Sequence, residues 1–221
     1  MRNWATWELR SAFAARMAEL YGREVPAYTT LVEVASAVNA EVAAREGAAA
    51  QRLGSLHRVT AERHGAIRVG TPTELAQVAR VFAAFGMYPV GFYDLREAAR
   101  AAVPVISTAF RPVSADELAR NPFRMFTSML VTDDRRFFQA DLQRRLDAFL
   151  ARRVLFSPEL ITLADKAIAD GGLAGEDAEA FLKLATAAFE LSPEPVDRAW
   201  YAELEAVSAV AADIGGVTST H

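Results

Sequence analysis

A chain of 221 residues that is 52% hydrophobic and 24% charged can bury a sizeable core, as one large domain or one domain with an appendage, and is not a disordered tail. A net charge of -4 without a basic stripe argues against a nucleic-acid partner, and the absence of cysteine rules out disulfides, thiolate metal sites and cysteine nucleophiles. No run of about 18 apolar residues is present, and the start, Met1-Arg2-Asn3-Trp4, has no apolar signal core, so the expectation is a cytoplasmic protein that does not span a membrane.

Residues 5–20 place Trp7, Leu9, Phe13, Met17 and Leu20 mostly three or four apart, the spacing of an amphipathic helix. Gly22 and Pro26 interrupt it, and a second helix is expected from about Thr29 to Arg45. Gly47, an alanine-rich stretch and Gly54 read as a loop. His64-Gly65-Ala66-Ile67-Arg68-Val69, bounded by Gly70 and Pro72, then reads as a strand. Thr71-Pro72-Thr73-Glu74 has the polar cap, early proline and early acid of a helix start. Leu75, Val78, Ala79, Phe82 and Phe85 supply that helix with an apolar stripe, and Gly86 ends it.

Three runs rich in β-branched and aromatic residues follow, Met87–Tyr93, Val103–Phe110 and Phe123–Val131. Helical patterns resume at about Asp134 to Phe149, Pro158–Asp170, Glu176–Phe189 and Val196–Ala209, separated by Gly171-Gly172 and Ser192-Pro193-Glu194-Pro195. The expected organisation is N-terminal helices over 1–62, a βαβββ module over 63–132, a helical segment over 133–212, and the start of another module over 213–221. This is an α+β chain whose strand, helix and three-strand order is the repeating unit of the vicinal oxygen chelate folds.

Any metal in such a module must be held by histidine and carboxylate. The histidines are His57, His64 and His221. Strand alternation puts His64, Ala66 and Arg68 on one face, with His64 and Arg68 roughly 13 Å apart at about 3.3 Å per residue. A metal on His64 and an anion on Arg68 fit one small molecule lying across Ala66. A strand histidine also serves as a hydrogen-bonded structural residue, and a strand arginine as a surface cation, and spacing alone leaves both readings open. His57 reads as a loop residue. Arg111 and Arg124 flank the third and fourth strands, where each could enter a pocket or pair at the surface. Asp116-Glu117 and Asp133-Asp134 read as helix N-terminal caps. There is no phosphate-cradling glycine loop with its lysine and no Gly-x-Ser-x-Gly.

The run Glu62-Arg63-His64-Gly65-Ala66-Ile67-Arg68-Val69-Gly70-Thr71 resembles the opening motif of the 2-oxoadipate dioxygenase/decarboxylase family, also called hydroxyglutarate synthase. The likeness continues through Gly86-Met87-Tyr88-Pro89-Val90-Gly91-Phe92-Tyr93-Asp94-Leu95, Ser107-Thr108-Ala109-Phe110-Arg111-Pro112 and Asn121-Pro122-Phe123-Arg124-Met125-Phe126-Thr127-Ser128. This resemblance implies a vicinal oxygen chelate core and a non-haem Fe(II) centre with two histidines and one carboxylate. It makes His64 the first ligand and Arg68 the residue that grips a substrate carboxylate bidentately. Thr220-His221 is similar to the opening of the motif that carries the second histidine. The implied partners are a 2-oxo dicarboxylate and O2, and the implied reaction is oxidative decarboxylation of 2-oxoadipate to 2-hydroxyglutarate with loss of CO2, in lysine catabolism. The family's carboxylate ligand and second module lie beyond the matching part, so the chain alone is expected to be weakly active or inactive. Two other readings are an isomerase, lyase or ring-cleaving dioxygenase on the same fold, and a fragment that binds a partner chain without catalysis.

Overall fold

The computed structural model describes residues 3–47, 64–98 and 101–220. Its first elements are a short strand β1 (Asn3–Ala5) and two 19-residue helices, α1 (Thr6–Glu24) and α2 (Tyr28–Glu46). Helix α1 buries Leu9, Phe13, Met17 and Leu20, the stripe read from its spacing, whereas α2 buries no residue and exposes Leu31, Val34 and Val38.

The βαβββ module follows as expected. Strand β2 (His64–Val69) leads into α3 (Pro72–Ala84), then β3 (Tyr88–Asp94), β4 (Val105–Arg111) and β5 (Arg124–Leu130). Helix α3 starts where its sequence says it should, because the Thr71 hydroxyl accepts from the Glu74 amide at 3.1 Å and Pro72 fits the first turn. It ends before Gly86, whose φ of +67° is open to glycine at little cost. The spatial order is β2-β5-β4-β3, with β2 parallel to β5 and the other pairs antiparallel. A register shift between Val90 and Tyr93 interrupts the pairing of β3 with β4. A one-turn helix, α4 (Ala115–Arg120), lies between β4 and β5 and is capped by the Ser114 hydroxyl. Asp116 and Glu117, expected as caps, lie instead inside its first turn, because Ser114 takes the capping position and their charge meets the helix N-terminus from within.

The remaining elements are α5 (Ala140–Leu150), α6 (Pro158–Asp170), a short strand β6 (Gly172–Ala174) that pairs with β1, then α7 (Gly175–Ala187), α8 (Arg198–Glu205) and α9 (Ala209–Gly215). Two expectations are corrected here. The helix foreseen over 196–209 is two helices, because Ser208 adopts an extended backbone and its hydroxyl caps a new start at the Ala211 amide. The helix foreseen from Asp134 begins instead at Ala140. Asp134 does not cap it but holds Arg136 and Arg96, and Phe138 is buried as the chain turns toward α5.

Two apolar clusters organise these elements. The larger packs α1, α3, α6 and α7 on one face of the sheet through Phe13, Ile67, Val69, Phe82, Phe85, Phe110, Met125 and Phe181. Ring contacts run through it, with Phe13 stacked on Phe85 at 4.6 Å and Phe82 edge-on to Phe110 at 5.3 Å. The smaller cluster brings Leu146 and Leu150 of α5, Leu204 of α8 and Ile214 of α9 onto Val105 and Leu130 at one end of the sheet. No helix among the described residues is long and apolar enough to cross a membrane.

Candidate functional site on the open sheet face

Alternation along β2 is clean: Gly65, Ile67 and Val69 are buried, while His64 and Ala66 are exposed and Arg68 is half-buried. His64 and Arg68 therefore share the face that the larger helical cluster leaves open, as their two-residue parity requires. Phe126 confirms the assignment, since it is 48% exposed on β5 and its ring lies 6.2 Å from the His64 imidazole.

The ladders arrange this face in three rows. In the first, Arg124 lies opposite His64, and at the same end of the sheet Tyr88 lies opposite Arg111. The middle row joins Ala66 to Phe126, Phe126 to Ala109, and Ala109 to Val90. The third joins Arg68 to Ser128, Ser128 to Ser107, and Ser107 to Tyr93, with the two serine hydroxyls 2.8 Å apart. Two polar ends thus flank an apolar middle.

Packing on the other face sets the strand that carries His64 and Arg68. A Cβ built on Gly65 would come within 2.6 Å of Met125 Sδ, and one on Gly70 would collide with Leu150. Both glycines permit close approaches that a Cβ would block. The turn after β2 is anchored by Glu74, which accepts from the Gly70 amide at 2.6 Å and from Arg153 Nη2 at 2.7 Å and Nε at 2.9 Å. Arg153 also donates to the Ile214 carbonyl at 2.6 Å, so this buried pair joins the β2 turn to the end of α9. On the outer edge of β2, the Arg68 amide donates to the Thr220 carbonyl at 3.0 Å.

Tyr201 and Asp213, which sequence reading passed over, pair within range of the Arg68 charge. The Tyr201 hydroxyl bonds Asp213 Oδ1 at 2.8 Å, and this bond raises the tyrosine pKa above its ordinary value, with burial adding to the effect. Arg68 is close enough for its charge to act on Tyr201 in the opposite direction. No motif announces the pair, because its members lie on two helices separated by a turn.

Among the described residues, no group of three His, Asp or Glu side chains converges to hold a metal ion. A single imidazole such as that of His64 is a donor of the kind metal ions take, but does not by itself make a metal centre. His57 and His221 lie outside the described residues.

Residues 13–221 match the family model described as 2-oxoadipate dioxygenase/decarboxylase. The chain is 61% identical over 216 residues to a Mycobacterium bovis protein named 2-oxoadipate dioxygenase/decarboxylase, covering 98% of this chain and 52% of that protein. The chain spans about half the length of these curated relatives. Among solved structures it is similar to hydroxyglutarate synthase from Pseudomonas putida, with a TM-score of 0.90 and 39% identity over 98% of this chain and 50% of that one. The same Pseudomonas protein in complex with 2-oxoadipate superposes with a TM-score of 0.89 at 39% identity, covering 98% of this chain and 48% of that one. A glyoxalase superfamily protein from Ralstonia eutropha matches at the level of fold, with a TM-score of 0.53 and 19% identity over 68% of this chain and 46% of that one.

Proposed function

Because the chain belongs to the 2-oxoadipate dioxygenase/decarboxylase family, we propose that it forms the substrate-gripping part of an enzyme that converts 2-oxoadipate to 2-hydroxyglutarate, consuming one O2 for each CO2 released. The observation that carries this reading is the placement of His64 and Arg68 at opposite ends of one open face, with the small side chain of Ala66 between them.

In this proposal the Arg68 guanidinium takes the carboxylate remote from the 2-oxo group, in the paired hydrogen bonds that its planar fork favours. Ser107 and Ser128, bonded to each other in the same row, offer hydroxyls at that end able to donate to the bound carboxylate. The methylene chain lies over Ala66, Ala109 and Phe126, which keeps water from that stretch. His64 contributes one ligand to a bound Fe(II), which would supply the electrons that activate O2. His221 is proposed as a second ligand by its family resemblance. A role in lysine breakdown follows from the same reading.

The test is oxygen uptake and CO2 release with 2-oxoadipate and Fe(II). It would be applied to the 221-residue chain and to a fusion continuing into the remaining half of the Mycobacterium bovis relative. The fusion should turn over substrate and the chain alone should do so poorly, since among the described residues no three His, Asp or Glu side chains converge to hold a metal ion. His64→Ala in the fusion should abolish turnover and iron retention together. A fusion that folds and binds iron yet consumes no oxygen with 2-oxoadipate would overturn the proposal.

A further inference from the structure

Arg124 and Arg111 stand at the His64 end of the open face. Phe123 and Met125 on either side of Arg124 are buried in the larger cluster, so alternation turns Arg124 to the open side, opposite His64. Phe110 packs on Phe82 and faces Met125 across the ladder, so Arg111 comes next on the open side, beside Arg124. Arg124 Nε is buried and has no hydrogen-bond partner among the described residues. Neither arginine joins an ion pair among those residues, whereas Arg10, Arg80, Arg96, Arg136, Arg145 and Arg153 each meet a carboxylate. Two like charges on adjacent strands repel, and a buried N–H without an acceptor is costly. One anion between them would offset both penalties.

We infer that Arg124 and Arg111 form a second carboxylate clamp, which holds the carboxylate adjacent to the 2-oxo group while Arg68 holds the remote one. This rests on the substrate class proposed above and deepens it. The face then reads, end to end, as cations, an apolar row and a cation, which is the complement of a dicarboxylate with a short methylene spacer. A 2-oxo acid with a methyl group in place of the remote carboxylate would still engage Arg124, but would leave Arg68 without a partner.

Calorimetric titration of the 221-residue chain with 2-oxoadipate and with 2-oxohexanoate separates the two ends. Arg124→Gln should weaken both ligands by roughly ten-fold or more, the loss of a charge-assisted pair. Arg68→Gln should weaken 2-oxoadipate and leave 2-oxohexanoate unchanged. Arg124→Lys keeps the charge without the fork and should fall between the unsubstituted chain and Arg124→Gln. Arg111→Gln gives a second reading of the same clamp and should also weaken both ligands. Circular dichroism and melting temperature establish that each variant is folded. Unchanged binding in folded Arg124 and Arg111 variants, alongside weakened 2-oxoadipate binding in Arg68→Gln, would overturn the clamp and leave the substrate class standing. Failure of the unsubstituted chain to bind 2-oxoadipate would overturn both.

Discussion

Along β2 and β5, odd-numbered residues such as Ile67, Val69 and Met125 are buried against aromatic side chains, while even-numbered neighbours such as His64, Ala66 and Phe126 are exposed. The two sides of one sheet therefore answer to different demands. The packed side is filled by close contact, and the loss of any large side chain there opens a cavity. The open side carries arginine, histidine, serine and small apolar residues in rows, and little of that arrangement is needed to hold the fold. The smaller helical cluster limits this freedom at one end, where α5, α8 and α9 close over Val105 and Leu130 and bring Tyr201 and Asp213 toward Arg68.

The largest loss is expected from Phe110→Ala on the packed side, about 3–5 kcal/mol. A urea midpoint close to that of the unsubstituted protein would show that this face is not the core. Arg153→Met comes next. It leaves the Glu74 carboxylate buried beside the β2 turn without its cation, a loss of about 3 kcal/mol that the same unfolding curves would register. On the open side, Ser128→Ala, which gives up the bond to Ser107, should cost no more than about 1.5 kcal/mol, so a loss as large as that of Phe110→Ala would assign that face a structural role.

The smallest effect concerns acid. Arg136 beside Asp134 holds that carboxyl down at about 2, first through their hydrogen bond. A depressed carboxyl stabilises the fold above its ordinary value and ceases to do so as pH falls through about 2. The stability gap between the unsubstituted protein and Asp134→Asn should accordingly be constant above about pH 5 and narrow toward pH 2. A gap that widens on acidification would reverse the sign assigned here.

The βαβββ module was legible because its signals are local. Thr71, Pro72 and Glu74 mark the start of α3, Gly86 marks its end, and β2 alternates over six residues. Arg111 and Arg124 could be marked from sequence as arginines at strand ends, but their adjacency depends on the β4–β5 register, which no local pattern encodes. The split between α8 and α9 was hidden because Ser208 interrupts a run that otherwise keeps helical composition. The Glu74–Arg153 pair joins residues 79 positions apart, and β1 finds β6 across most of the chain. Such pairings are set by how the helices pack, so spacing does not reveal them.

In the proposed function, substrate lies on the open face and not beneath the helices. Methyl NMR of the 221-residue chain tests it directly, because Ala66 and Ala109 report from the middle row of that face while Ile67 and Val69 report from the packed side. On addition of 2-oxoadipate, the Ala66 and Ala109 methyl signals should shift in a saturable, concentration-dependent way, with Ile67 and Val69 nearly still. Saturable shifts at Ile67 and Val69 with Ala66 and Ala109 unmoved would contradict the account.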